Sequence, residues 1–187
     1  MPLGAFKAAL MGTAGVSTAD VVLLSSQTAS DSASLTFSSG ITSTYGEYIF
    51  KFYNINPATD DAHFQFQVNA TDGADYNDSA ITSTFIRAFH YEDDSNQGFG
   101  YETSDDQAQG TAFQDLAPDT GNGGDESTAG EFHLFNPSST TYVKHFYSRM
   151  CHSGGSGTYQ RDLMFAGYIN DTTAIDDIQF KMDTGNF

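Results

Sequence analysis

The chain has 187 residues, with 24 Asp and Glu against 7 Lys and Arg and a formal net charge of -17. A chain this negative repels phosphate backbones and anionic lipid surfaces, so neither nucleic-acid binding nor membrane-surface binding is expected of it. Its 16 Phe and 10 Tyr, at a charged fraction of only 17%, need a core or an interface and exclude an acidic disordered tail, while the single Cys151 excludes a disulfide framework and a cysteine-based zinc site.

One domain is the expectation at this length, with residues 1–18 as an N-terminal arm and 19–187 as the folded body. The arm reads Met1-Pro2-Leu3-Gly4-Ala5-Phe6-Lys7-Ala8-Ala9-Leu10-Met11-Gly12. Its one Lys lies inside the apolar residues, which does not fit a secretory signal, and no stretch of the chain reaches the roughly 20 apolar residues of a membrane span. The segment predicts a short helix over residues 5–11, or an arm that orders only against a partner. In the second case Leu3, Ala5, Phe6 and Leu10 are the docking residues.

Beyond the arm, period-two patterns dominate. Residues 21–24 and 33–37 predict strands. Tyr48-Ile49-Phe50-Lys51-Phe52-Tyr53 puts Tyr48, Phe50 and Phe52 on one face, and residues 54–61 follow as a connection braked by Pro57. His63-Phe64-Gln65-Phe66-Gln67-Val68 alternates strictly, as a half-buried antiparallel strand does, and leaves His63 on the solvated side. Residues 71–79 form an acidic loop. Phe85-Ile86-Arg87-Ala88-Phe89-His90-Tyr91 is the next strand, then an acidic loop over 92–97 and a strand over 98–102. Residues 119–126 are rich in Gly and Asp and predict an unpacked loop with several positive φ values. Strands are expected over 130–135, 141–150, 161–169 and 174–182, with a hairpin loop over 152–157. Many short strands separated by turns, without an internal repeat, predict an all-β fold: an antiparallel β-sandwich of jelly-roll type with a short N-terminal arm or helix.

The residues that carry chemistry do not assemble into a familiar pattern. His63, His90, His133, His145 and His152 never occur at His-x-His or His-x₃-His spacing. Ser153-Gly154-Gly155-Ser156-Gly157 lacks the strand–elbow–helix setting of a serine nucleophile. Cys151 and His152 are strand neighbours that point to opposite faces, so a buried or interfacial free thiol is expected. The acidic side chains fall mostly in loops and are expected to keep the surface soluble rather than to pair across a cleft. Residues 72–78 and 119–126 are oxygen-rich enough for a structural Ca²⁺ but lack the usual loop spacing. No enzyme activity and no cofactor are expected. Tyr53, Tyr76, Tyr101, Tyr159 and Tyr168 could line a sugar-binding face. The sequons at Asn69, Asn77 and Asn170 read as chance matches in a Ser/Thr/Asn-rich chain.

Three runs point further. Gly46-Glu47-Tyr48-Ile49-Phe50-Lys51-Phe52-Tyr53-Asn54-Ile55-Asn56-Pro57-Ala58-Thr59-Asp60-Asp61 is the first. Phe135-Asn136-Pro137-Ser138-Ser139-Thr140-Thr141-Tyr142-Val143-Lys144-His145-Phe146 is the second. The third is the ending Ala174-Ile175-Asp176-Asp177-Ile178-Gln179-Phe180-Lys181-Met182-Asp183-Thr184-Gly185-Asn186-Phe187. With the opening Met1-Pro2-Leu3-Gly4-Ala5-Phe6, they resemble virion structural proteins of marine tailed bacteriophages. The resemblance implies a concanavalin A-like jelly roll without catalytic residues, located in the virion as a capsid decoration or cement protein or as a tail or fibre component. It implies other virion proteins as partners and a homo-oligomer, with a trimer favoured. The alternative is a tail-fibre module that binds host glycan. Members of that group usually continue past Gly-Asn-Phe with a strand of the form Gly-Thr-x-x-x-Tyr-Gly. This chain stops at Phe187, so a truncated sequence lacking its last strand is expected, because an uncovered edge is a pairing site.

Overall fold

A computed structural model of the chain describes residues 21–187, apart from residue 74 and residues 155–157. The expected arm over residues 1–18, its helix and its docking residues Leu3, Ala5, Phe6 and Leu10 lie outside the described residues. The described residues contain eleven strands and no helix. In chain order they are β1 (Ser34–Phe37), β2 (Glu47–Ile55), β3 (Ala62–Ala70), β4 (Ile81–Tyr91), β5 (Gln97–Tyr101), β6 (Ala108–Gly110), β7 (Gln114–Thr120), β8 (Thr128–Phe135), β9 (Lys144–Gly154), β10 (Tyr159–Ile169) and β11 (Ile175–Met182).

All the pairings are antiparallel, and a single residue pair, Thr120 with Gly154, joins the ladder into one sheet. On one side of that pair lies a narrow layer in the order β1-β11-β3-β7. On the other lies a wide layer in the order β2-β8-β9-β10-β4, with β5 and β6 both on the far edge of β4. The alternation in β9 shows why the layers pack: Lys144, Phe146, Ser148, Met150 and His152 are buried, and the residues between them are exposed. A strand with one wetted face has to bury the other against a second layer.

Phenylalanine rings fill the space between the layers. Phe180 on β11 lies 5.3 Å from Phe50, 5.0 Å from Phe52 and 6.5 Å from Phe132, all on the wide layer. Phe66 on β3 lies 4.5 Å from Phe132 and 5.2 Å from Phe146. Most of these contacts are edge-on or tilted, the arrangements that the ring quadrupole favours. Lys144 at the start of β9 is also fully buried; its ammonium donates to the carbonyl oxygens of Asp171 (2.9 Å) and Thr173, and burial holds its pKa below the usual range.

The structure corrects several expectations. Residues 21–24 are apolar enough for a strand but form no ladder among the described residues and stay exposed. The strand expected from residue 141 starts at Lys144, because the Ser139 hydroxyl accepts from the Thr141 and Tyr142 amides and holds a turn. Residues 152–154 extend β9 rather than opening the hairpin loop. β7 was not expected at all: Pro118 and two register shifts against β3 hide its period, and an edge strand tolerates both. The loop after it is packed, not open. Glu126 is buried and accepts from the Gly123 amide at 2.7 Å, and Asp119 is the one residue of 119–126 with a positive φ.

Candidate interaction face

The outward side of the wide layer is unusual for a sandwich. One row across it reads Ile49, His133, Tyr147, Ala166, Thr84, each opposite the next. The neighbouring row reads Lys51, Glu131, Arg149, Met164, Ile86, Tyr101. Ile49 is 38% exposed, Tyr147 42%, Met164 37%, Tyr101 49% and Phe99, next along β5, 73%. The charges between these side chains are matched within the face. Arg149 forks onto both Asp162 oxygens at 3.0 and 2.7 Å, and Lys51 lies 3.7 Å from Glu131. His133 is held between Glu47, 2.6 Å from its Nδ1, and Glu131, 3.3 Å from its Nε2, and its ring stacks on Tyr147 at 4.3 Å. Cys151 is exposed on this same face, so it is not the buried thiol that one reading of the sequence expected.

At the end of β8 and β9 the face runs into an open groove of about 510 Å³ lined by Phe135, Asn136, Thr141, Tyr142, Val143, His145 and Thr172. Tyr142 is 70% exposed beside it. Of the five tyrosines that could line a sugar-binding face, Tyr53 and Tyr101 are exposed, Tyr76 and Tyr168 are half-buried and Tyr159 is buried. Tyr76 packs near Phe113 while Tyr159 lies between Tyr91 and Arg161, so the five do not share one platform.

The titratable residues concentrate elsewhere, where β3, β7 and β10 meet. His63 was expected to be a free surface residue; it keeps the polar side of β3 but is clamped. Its Nδ1 lies 3.2 Å from Asp115 and its Nε2 3.4 Å from Asp119, and Arg161 donates to the other Asp119 oxygen at 2.7 Å. Its backbone amide donates to Asp183 at 2.7 Å. The hydrogen bonds that the His63 ring donates to Asp115 and Asp119 raise its pKa to about 10, and the His63 bond holds Asp119 well below the usual carboxylate range. Asp119 is therefore a structural anchor rather than a solvated loop acid. Nearby His152 is buried, and burial lowers its pKa to about 4.

The chemistry available to these groups is narrow. A histidine general base has to be deprotonated and reachable at working pH. His63 is a locked imidazolium, and His152 is neutral but sealed in the core. Among the described residues no group of three or more His, Cys, Asp or Glu is placed to hold a metal ion. The arrangement pins the two layers together and leaves the outward face of the wide layer as the distinctive surface. Compared with known proteins, the chain matches no family model, no curated protein and no solved structure.

Proposed function

We propose that this chain is a non-enzymatic structural protein of a tailed-phage particle, a decoration or tail accessory sandwich that attaches to other virion proteins. The observation that carries the reading is the apolar run Val21-Val22-Leu23-Leu24. These four side chains are 71%, 49%, 82% and 49% exposed and join no strand among the described residues, and in the sequence they follow, eight residues on, the apolar segment 1–12 that contains Leu3, Ala5, Phe6 and Leu10. Large apolar side chains left in water lose about 25 cal/mol for each Å² that a partner could cover. A run of them ahead of the first strand of the sandwich has the character of a docking strap. The charge of -17 suits a receiving surface with basic loops.

Deleting residues 1–24 tests this. The deletion stops short of β1, so the sandwich keeps its strands and its thermal unfolding should be nearly unchanged. Occupancy on particles assembled with the shortened chain should fall to background. Full occupancy at unchanged copy number would overturn the reading.

The groove beside Tyr142 favours a second reading, a host-glycan-binding module, since it offers an exposed ring next to Asn136 and His145. Retention on a glycan array that is lost in Tyr142→Ala would support it; no retention on any glycan would remove it.

A further inference from the structure

We infer that the outward face of the wide layer is an interface with a second copy of this chain, packed face to face about a twofold axis. The inference goes beyond the virion reading and does not depend on it.

Three observations carry it. The first is polarity. The outward side of a sandwich strand is normally polar, and the narrow layer obeys this with His63, Gln65, Gln67 and Asn69 on β3. The wide layer instead presents Ile49, Tyr147, Met164, Tyr101 and Phe99, and aromatic side chains and Met are enriched at protein interfaces. The second is charge. The face carries two cations, Lys51 and Arg149, and four carboxylates, Glu47, Glu131, Asp162 and Asp106, the last bonded to the Tyr101 hydroxyl, so with its histidines neutral it sums to -2 while the chain sums to -17. Copies of so acidic a chain repel each other at most approaches, and a basic partner would be drawn to the acidic loops. A nearly balanced face is where two copies can meet. Lys51 and Arg149 are already paired within each copy, and Glu47 and Asp106 already bond His133 and Tyr101, so covering the face leaves none of these groups without a partner.

The third is size. Six strands at about 4.8 Å, with four outward positions at about 6.8 Å along each, give a footprint of about 29 by 27 Å, or about 800 Å². A standard stable interface takes about 800 Å² from each partner. A face that is its own complement closes as a twofold dimer, in place of the trimer expected from the resemblance.

Sedimentation equilibrium of the full chain tests this. The expected result is twice the chain mass of 20.2 kDa. The double variant Tyr147→Asp/Met164→Asp changes two exposed side chains and places like charges across the axis. It should sediment as a monomer with affinity weakened at least about 100-fold, with its thermal unfolding showing that it still folds. Ser38→Asp, in an exposed loop, should stay dimeric. Cys151 gives a second readout, since its maleimide labelling should slow as concentration rises and the face is covered. A wild-type chain that is monomeric up to about 100 µM, a trimer mass, or a double variant that remains dimeric would each overturn the inference. Deleting residues 1–24 should leave the dimer intact, so failure of the docking strap and failure of this interface are read separately.

Discussion

Phe66→Ala probes the packing of the two layers most sharply. Phe66 is fully buried on β3 and its ring reaches Phe132 on β8 and Phe146 on β9, so it bridges the narrow layer to two strands of the wide one. Truncating a buried Phe costs about 3–5 kcal/mol through lost transfer energy and the cavity left behind. A mid-range loss of about 4 kcal/mol, at about 3 °C for each kcal/mol in a domain of this size, lowers the melting temperature by about 12 °C. That is a large share of the 5–15 kcal/mol, roughly, that hold a domain folded. Phe99→Ala is the matched control: the same deletion at a ring 73% exposed should cost under about 0.5 kcal/mol in the monomeric Tyr147→Asp/Met164→Asp background. Paired urea titrations read both. If Phe66→Ala costs less than about 1 kcal/mol, or no more than Phe99→Ala, the packing of the two layers described above is wrong.

Three other substitutions test separate parts of the structure. His63→Gln should flatten the pH dependence of stability at neutral to alkaline pH. The folded pKa of about 10 lies above the unfolded value, so the His63 contribution is complete below about pH 6.5 and fades as pH rises through 10. Because the clamp is partly solvated, its worth is on the order of 1 kcal/mol, and a wild-type stability that does not fall over that window would contradict it. Lys144→Met keeps the aliphatic stem but leaves the Asp171 and Thr173 carbonyls without their donor, which should cost about 1–3 kcal/mol in urea titration. Gly167→Ala would place a Cβ 2.5 Å from the Thr82 carbonyl oxygen and 2.8 Å from the Phe146 ring, so it should destabilise by about 1–3 kcal/mol, where Ala in an open strand position would not.

Much of the fold was legible because a strand with one buried face advertises its period. β2, β3 and β4 show their buried positions as Tyr48, Phe52, Phe64, Phe66 and Phe85, and each was placed within a few residues. β7 was not legible. Leu116 and Ala117 are adjacent yet both fully buried, because register shifts against β3 break the alternation there, and Pro118 reads as a strand breaker. Residues 21–24 failed in the other direction, since composition can nominate a strand but only a neighbouring strand can satisfy its backbone groups. The clamp on His63 depends on Asp115, 52 residues away, a contact that no local pattern carries. The outward aromatic face was half legible: β2 has apolar side chains on both parities, Ile49 and Tyr53 against Tyr48, Phe50 and Phe52. One sequence cannot say which parity meets the core and which meets another molecule.

Electron cryo-microscopy of the intact particle tests the proposed function most directly. The account predicts sandwich-shaped density of this size at regular positions on the head or tail, with the N-terminal segment leading into the underlying virion protein. Particles that carry no copy of the chain, while the protein accumulates free in the lysate, would contradict it.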